Sequence, residues 1–364
     1  MKITIVAGAR PNFMKIAPII RAIQKEQSIG ADIDFRLIHT GQHYDKAMSG
    51  SFFEQLEIPE PHRNLECGGG SQAEQTAAIL IAFEKELLEN PCDWVLVVGD
   101  VTSTMACALA AKKLNVKVAH VEAGIRSGDM TMPEEINRLV TDSISDLFFT
   151  TSERANENLM KSGFNENQIV FVGNTMIDTL LHHEKDFMAP ALFHSNELKA
   201  KGYLVMTLHR PSNVDSKEQL TALFQVIDEM LVDIPVVFPI HPRTRKNMET
   251  FGIAPKNVIL ADPMSYFEFN YLVKNALGVI TDSGGITEET TVMSVPCITL
   301  RNSTERPETV ELGTNELIGT NPDHLREALK VLLSGNWKKG SIPPLWDGKT
   351  ATRIIDYFKD LIQS

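Results

Sequence analysis

The sequence predicts an α/β protein built from two doubly wound domains that face each other across a cleft. Apolar runs of strand length alternate along the chain with segments whose apolar residues recur at helical spacing. Several of these runs, such as residues 94–98, are apolar without interruption, which is typical of parallel strands covered on both faces. The length of 364 residues exceeds what one ordinary core accommodates and therefore favours two domains.

Composition narrows the class of protein. With 43% apolar and 23% charged residues the chain is typical of a soluble globular protein, and its net charge of −12 argues against a nucleic acid or an anionic membrane as partner. Cys67, Cys92, Cys107 and Cys297 lack the paired spacing of a disulfide framework or a zinc site. The first strand is too short for a secretion signal, and no apolar run has membrane length. We expect a cytoplasmic protein without a metal site.

The first domain is predicted to span residues 1–173. Its strands are predicted at residues 3–7, 34–38, 94–98, 116–121, 147–150 and 169–172, with helices at 12–27 and 73–88 and a further one after Met132. A glycine turn, Gly8-Ala9-Arg10-Pro11, follows the first strand. It places Arg10 at the carboxyl end of the sheet, where such folds bind ligands. A phosphate contact and a surface salt bridge are equally consistent with this arginine.

Three carboxylates of this domain are predicted to lie near one edge of the sheet. Asp100 and Glu122 each follow a strand, and Glu134 follows Pro133 at the start of a helix. Any one of them could be a helix cap or a solvated group. Three like charges near one edge are costly, and this favours a functional role for the set.

The second domain is predicted at residues 174–349. Its strands are predicted at residues 203–207, 236–240, 258–260, 277–280, 297–300 and 315–319. His209 and Arg210 follow the first of these strands and His241 follows the second, which modestly favours a site over structural histidines. A helix at residues 350–364 is expected to pack back onto the first domain.

The stretch from Thr281 to Glu289 reads as a strand, a glycine turn and the start of a helix. Gly284 and Gly285 allow close approach of a ligand, and Ser283 adds a hydroxyl next to free helix amides, which suits a phosphate. Glu289, about one turn further, could accept from ribose hydroxyls. A plain strand-to-helix turn with acids that complement the helix dipole is the alternative.

Taken in order, these stretches resemble the non-hydrolysing UDP-N-acetylglucosamine 2-epimerases over nearly the whole chain. The matching stretches are Gly8-Ala9-Arg10-Pro11 with Lys15 and Pro18, Gly99-Asp100 with Thr102-Ser103-Thr104, Val121-Glu122-Ala123-Gly124-Ile125-Arg126, Pro133-Glu134-Glu135 with Asn137-Arg138, His209-Arg210, His241-Pro242, Thr281 to Ile286 with Glu288-Glu289, and Thr304-Glu305-Arg306-Pro307-Glu308.

The resemblance implies two Rossmann-like domains of the GT-B glycosyltransferase type. It also implies interconversion of UDP-GlcNAc and UDP-ManNAc without an external cofactor, through elimination and re-addition of UDP by way of 2-acetamidoglucal. A homodimer is expected. By motif match the catalytic residues would be Asp100, Glu122, Glu134 and His209. The substrate-binding residues would be Arg10, Lys15, Arg138, Arg210, His241, Phe269, Ser283, Gly284, Gly285, Glu289 and Arg306. Among these, Glu289 would bind the ribose and Phe269 would lie against the uracil.

Three features depart from the family pattern. Ala9 and Asn12 replace the more usual threonine and glutamate of the first loop. Residues 128–134 form a shorter segment than in many bacterial members, where the longer segment and a glutamine like Gln42 bind a second UDP-GlcNAc as activator. Activation by a second UDP-GlcNAc is therefore not expected here. The competing hypotheses are a hydrolysing relative that releases ManNAc and UDP, a non-catalytic sugar-nucleotide binding protein and a retaining glycosyltransferase. A nicotinamide oxidoreductase is disfavoured because no Gly-x-Gly-x-x-Gly follows the first strand.

Overall fold

The computed structural model describes residues 1–41 and 53–363, without the side chains of Arg10 and Gln363. The chain divides into two compact units, Met1–Leu181 with Pro344–Ser364, and His182–Pro343. The sequence prediction put the divisions after residues 173 and 349. They fall elsewhere because the helix that starts at Thr175 is bound to the first unit, where Thr179 Oγ1 donates to the Met14 carbonyl at 2.6 Å.

The first unit contains a seven-stranded parallel sheet with strand order β3-β2-β1-β4-β5-β6-β7. Its elements are β1 (Lys2–Ala7), α1 (Arg10–Ser28), β2 (Asp34–His39), β3 (Arg63–Asn64), α2 (Gln72–Glu89), β4 (Trp94–Val98), α3 (Thr102–Lys113), β5 (Lys117–Ala123), α4 (Pro133–Ile144), β6 (Leu147–Thr150), α5 (Glu153–Lys161), β7 (Ile169–Phe171) and α6 (Thr175–His182). The short β3 was not predicted from the sequence.

The second unit contains a six-stranded parallel sheet with strand order β10-β9-β8-β11-β12-β13. Its elements are α7 (Ala191–Ser195), β8 (Leu204–Thr207), α8 (Pro211–Val214), α9 (Lys217–Met230), β9 (Val236–Pro239), α10 (Pro242–Phe251), β10 (Val258–Ala261), α11 (Tyr266–Asn275), β11 (Gly278–Thr281), α12 (Gly284–Val292), β12 (Cys297–Thr299), α13 (Pro307–Glu311), β13 (Asn315–Leu317) and α14 (Pro322–Leu333). The last helix, α15 (Thr350–Gln363), belongs to the first unit.

Both sheets reverse their strand order at one place, between β1 and β4 in the first unit and between β8 and β11 in the second. Open α/β sheets bind ligands beyond the carboxyl ends of the strands at this switch point. The residues that follow these strands are therefore the first candidates for a site. They include Asp100 in the first unit, and His209 and Ser283 in the second.

The continuous apolar runs form buried strands, as expected for parallel sheets. All five residues of β4 are buried, and Val95 and Val97 lie in an apolar cluster with Phe83 of α2 and Cys107 of α3. The predicted α/β fold class with two parallel sheets is confirmed. Within residues 1–41 and 53–363, the helices all fall short of the length and apolar character required to cross a bilayer.

The returning segment before α15 is tied closely to the first unit. Trp346 is 1% exposed, and its Nε1 donates to the Thr151 carbonyl at 3.0 Å. Asp178 of α6 accepts from the amides of Thr350 at 3.1 Å and Ala351 at 2.7 Å. Asp178 therefore supplies, from a distant part of the chain, the cap that the first turn of α15 needs.

Candidate functional site

Glu122 has an unusual backbone conformation. The strand predicted to end at Val121 continues to Ala123, and its pairing with β6 shifts register between these two residues. At this bulge Glu122 has φ 70°, in the left-handed region, which costs a non-glycine residue on the order of 1–3 kcal/mol. Such a conformation persists only where surrounding contacts impose it, and it is typical of functional sites.

The Glu122 carboxylate lies against Lys15 of α1. Lys15 Nζ is 2.6 Å from Glu122 Oε2, and the two side chains are 9% and 3% exposed. A Cβ atom on Gly99, which has φ 67°, would lie 2.9 Å from Lys15 Nζ. Gly99 therefore leaves the space that the lysine occupies, and a larger residue there would displace the ammonium from the carboxylate.

Arg138 binds two carboxylates in the same unit. Its Nε and Nη2 lie 3.1 and 2.6 Å from Asp100 Oδ2, and its Nη1 lies 2.6 Å from Glu135 Oε2. Burial alone would raise the pKa of Glu135, but the amides of Ser127 and Gly128 and the Arg138 guanidinium hold it below its ordinary value. Arg138 was predicted to contact substrate. In the structure its guanidinium contacts Asp100 and Glu135, and a contact with substrate stays a prediction.

Glu134 differs from the other two predicted carboxylates. It is half-buried in the first turn of α4 and forms no hydrogen bond or ion pair within the described part of the chain. The helix N-terminus is favourable for its negative charge. The predicted roles of the Arg10 side chain and of Gln42 lie outside the described residues.

Asn12, one of the three departures from the family pattern, has a structural role. Its Oδ1 accepts from the amides of Gly8 and Ala9, both at 3.0 Å, and its Nδ2 donates to the Val98 carbonyl at 3.1 Å. The side chain is buried, and it connects the turn after β1 to the end of β4. Asn12 therefore fixes the shape of the turn at the switch point.

In the second unit, His209 is oriented by a buried acid that the sequence prediction did not include. Asp282, 0% exposed, follows β11, and its Oδ1 lies 2.8 Å from His209 Nδ1. It also accepts from the amides of His209 and Arg210 and from Asn213 Nδ2. Burial would raise the pKa of Asp282, but His209 and these donors hold it below its ordinary value. The His209 side chain is 49% exposed, so its Nε2 is accessible.

The glycine turn at the start of α12 has features of an anion site. Within the described residues Ser283 makes no side-chain cap hydrogen bond to the first amides of α12, and the amides at a helix N-terminus suit an anion. Arg301, 4% exposed, places its Nη1 3.6 Å from the point where a Cβ on Gly284 would lie. Its Nη2 is buried and forms no hydrogen bond within the described residues, and its Nη1 pairs with Glu305 at 2.7 Å. A buried guanidinium and a helix N-terminus thus meet at one place.

Glu289, the predicted ribose ligand, is almost completely buried. Tyr266 donates its hydroxyl to Glu289 Oε1 at 2.8 Å. Burial raises the pKa of Glu289 to about 7, and the hydrogen bond from Tyr266 opposes this shift. The carboxyl group therefore changes charge near neutral pH.

The other residues of the second unit that were predicted to bind substrate contact neighbouring protein groups in the structure. Arg306 Nε lies 2.5 Å from Glu288 Oε1, and Arg210 Nε donates to the Asp282 carbonyl at 3.0 Å. His241 is exposed and accepts the Arg243 amide at 3.3 Å, which caps α10. Phe269 packs against the apolar cluster that includes Leu272 and Val279. Binding of UDP by these residues stays a prediction.

Within the described ranges, no group of three or more histidine, cysteine, aspartate or glutamate side chains has the arrangement of a metal site. The buried carboxylates described above form hydrogen bonds or ion pairs with other groups of the protein.

Comparison with known proteins identifies the family. The family model for UDP-N-acetylglucosamine 2-epimerase matches residues 25–359. The chain belongs to this family. The family predicted from the sequence motifs is therefore confirmed.

Similar proteins within the family cover the whole chain. The UDP-N-acetylglucosamine 2-epimerase of Methanocaldococcus jannaschii is 44% identical over 98% of each chain. Its crystal structure in complex with UDP-GlcNAc and UDP matches with a TM-score of 0.86, 43% identity and coverage of 98% of this chain and 100% of that one. The UDP-2,3-diacetamido-2,3-dideoxy-D-glucuronate 2-epimerase of Pseudomonas aeruginosa is 38% identical over 99% of this chain and 100% of its own.

Proposed function

We propose that the protein interconverts UDP-GlcNAc and UDP-ManNAc by epimerisation at C2, without hydrolysis and without an external cofactor. The archaeal relative that carries the name UDP-N-acetylglucosamine 2-epimerase, similar over 98% of the chain, supports the reaction. The observation that carries the proposal is the strained Glu122, buried beside Lys15 in the unit that also holds Asp100 and Glu134.

The reaction asks for groups that move a proton at C2 while UDP departs from C1. Loss of the C2 proton and of UDP gives 2-acetamidoglucal, and return of both with the proton on the opposite face gives the epimer. Glu122 and Asp100 each lie beside a cation that offsets their negative charge. Glu134 has no such partner within the described residues and is suited to carry a proton. We assign the proton transfers to these three carboxylates.

The second unit is proposed to bind UDP. The diphosphate would accept from the first amides of α12, from Ser283 and from Arg301, and the ribose hydroxyls would donate to Glu289. His209, oriented by Asp282, would donate to the departing diphosphate. Donors that stabilise the charge that develops on the leaving group lower the barrier of elimination. The uracil would lie against Phe269.

A second copy of the chain is the proposed partner. Helix α2 carries two exposed apolar side chains that lie off its buried face. Ile81 is 72% exposed and Leu88 is 65% exposed. Their burial in a homodimer would remove apolar surface from water. The oligomeric state is measured by sedimentation, with Ile81→Lys expected to shift a dimer toward monomer.

The second candidate function is epimerisation at C2 of a different UDP-linked sugar. The Pseudomonas aeruginosa relative has the name of a 2-epimerase for UDP-2,3-diacetamido-2,3-dideoxy-D-glucuronate and covers the whole chain at 38% identity. The C2 reaction would be unchanged, and the contacts to C3 and C6 of the sugar would differ.

The experiment supplies UDP-GlcNAc, UDP-ManNAc and the diacetamido substrate in separate reactions and separates the products by anion-exchange chromatography. The proposal requires that UDP-GlcNAc and UDP-ManNAc reach one common ratio from both directions, with no accumulation of free ManNAc. Stoichiometric ManNAc and UDP would identify a hydrolysing enzyme. Turnover of the diacetamido substrate alone would establish the second candidate. The matched Glu122→Gln variant should lose the activity.

A further inference from the structure

A buried histidine connects the two loops that carry Asp100 and Glu122. His120 of β5 is 0% exposed. Its Nδ1 lies 2.7 Å from Asp142 Oδ1, and its Nε2 lies 2.8 Å from the carbonyl oxygen of Gly99, the residue before Asp100. The ring therefore bridges Asp142 of α4 and the backbone next to Asp100.

The other oxygen of Asp142 holds the opposite side of the bulge. Asp142 Oδ2 accepts from the amide of Gly124 at 3.1 Å and lies 2.6 Å from Arg126 Nη1. Gly124 has φ 77°, and an added Cβ would lie 2.3 Å from the Ala155 carbonyl oxygen, so a larger residue does not fit at this position.

Two further hydrogen bonds complete the connection. The Gly99 amide donates to the Val121 carbonyl at 3.0 Å, and Asn158 Nδ2 donates to the Gly124 carbonyl at 2.9 Å. Gly99 is thus bound to β5 through both its amide and its carbonyl. Gly124 is bound through both of its backbone groups as well. Val121 before Glu122, Gly124 two residues after it, and Gly99 before Asp100 are held by one hydrogen-bonded network.

We propose that Asp142 is a positioning residue for the C2 reaction, which holds the Asp100 loop through His120 and the strained Glu122 bulge through Gly124. The inference rests on the proposed function, because it gives Asp142 a role in the geometry of that reaction. Asp142 does not touch the substrate. It acts by fixing the separation of two carboxylates that come from neighbouring strands, β4 and β5.

Burial of the network supports a role beyond stability. A buried ion pair is costly to desolvate, and replacement by apolar side chains is often neutral or stabilising. Asp142 and His120 are 1% and 0% exposed. Apolar side chains could not make the bonds of this pair to the Gly99 carbonyl, next to Asp100, and to the Gly124 amide, beyond the Glu122 bulge.

The test compares Asp142→Asn with Asp146→Asn in the full-length protein. Asp146 binds the other end of the same strand, where its Oδ2 accepts the Val118 amide at 2.8 Å and its Oδ1 pairs with Lys112 at 2.7 Å. Both variants lose a carboxylate that holds β5, but only Asp142 reaches the two loops. We expect kcat for UDP-GlcNAc epimerisation to fall about 10- to 100-fold in Asp142→Asn, since a misplacement of about 1 Å can cost 10²-fold. Asp146→Asn should retain the parent kcat.

The affinity for UDP distinguishes a positioning role of Asp142 from a general disruption of the fold. The Kd for UDP, measured by calorimetry, should stay within about twofold of the parent in both variants, because UDP is assigned to the other unit. Equal losses of kcat in the two variants, or a parent kcat in a folded Asp142→Asn, would overturn the inference. If Asp142→Asn does not fold, Asn158→Ala removes only the bond to Gly124, and a fall in kcat at unchanged UDP affinity is expected there too. An inactive parent protein would instead overturn the proposed function.

Discussion

The buried carboxyl of Glu289 gives a quantitative prediction. Its pKa lies at about 7 in the folded protein, against an ordinary value of 4.5, because burial penalises the charged form. Ionising it in the folded state therefore costs about 3 kcal/mol more than in the unfolded chain, at about 1.4 kcal/mol for each tenfold change in equilibrium constant. The variant Glu289→Gln keeps the shape and an oxygen that can accept from Tyr266, but it cannot ionise.

The direction of the pH dependence follows from proton uptake. Between pH 4.5 and 7 the folded protein keeps a proton on Glu289 that the unfolded chain has released. The stabilisation of the folded state by protonated Glu289 is complete below pH 4.5 and is lost as pH rises through 7. Between pH 5 and pH 8 the parent should lose about 2.5 kcal/mol of unfolding free energy that Glu289→Gln does not lose. Other titrating groups cancel in the comparison.

Urea denaturation of parent and variant at pH 5, 6, 7 and 8 measures this difference. The unfolding free energy of Glu289→Gln should increase relative to that of the parent as pH rises, with most of the change below pH 7. A difference that is constant across the series would refute the assignment of a neutral, buried Glu289. Ribose hydroxyls donate best to the ionised form, so affinity for UDP-GlcNAc, whose diphosphate does not titrate in this range, should rise over the same interval in the parent only.

Three further variants test other parts of the site. Asp282→Asn should lower kcat about 100-fold or more in protein that is still folded, because His209 loses the carboxylate that orients it; parent activity would exclude the pair from the reaction. Arg301→Met should weaken UDP binding about 10-fold or more by calorimetry and leave uridine binding unchanged, since the guanidinium is assigned to the phosphates; equal losses for both ligands would contradict this. Asp178→Ala should lower the unfolding free energy by about 1–3 kcal/mol without affecting UDP affinity, because two amides of α15 lose their acceptor; an unchanged stability would show that water replaces it.

Element type and site location could be predicted from the sequence to different extents. The uninterrupted run at Trp94–Val98 and the glycine turn at Gly284-Gly285 predict a buried strand and a helix start correctly, because local pattern decides both. The short β3 could not be predicted, since its two residues, Arg63–Asn64, owe their strand geometry to pairing with β2 and not to local propensity.

The partners of the site residues depended on tertiary contacts. Lys15 and Glu122 are 107 positions apart, and Asp282 and His209 are 73 apart, so their pairing follows from the strand order and not from spacing. Asp282 nevertheless had a signal in the sequence, as an acid directly after a buried strand at the switch point. Arg301 had a similar one, following β12. The left-handed conformation of Glu122 had none, because a bulge depends on how the neighbouring strand pairs.

Proton NMR of UDP-GlcNAc incubated with the protein in heavy water tests the central claim most directly. Epimerisation by proton transfer at C2 predicts that deuterium replaces the C2 proton while a manno C1 signal grows, and that both effects disappear in Glu122→Gln. A manno signal that grows with the C2 proton retained would contradict a mechanism in which the carboxylates exchange that proton with solvent. A spectrum that stays unchanged although UDP-GlcNAc binds would contradict the epimerase assignment itself.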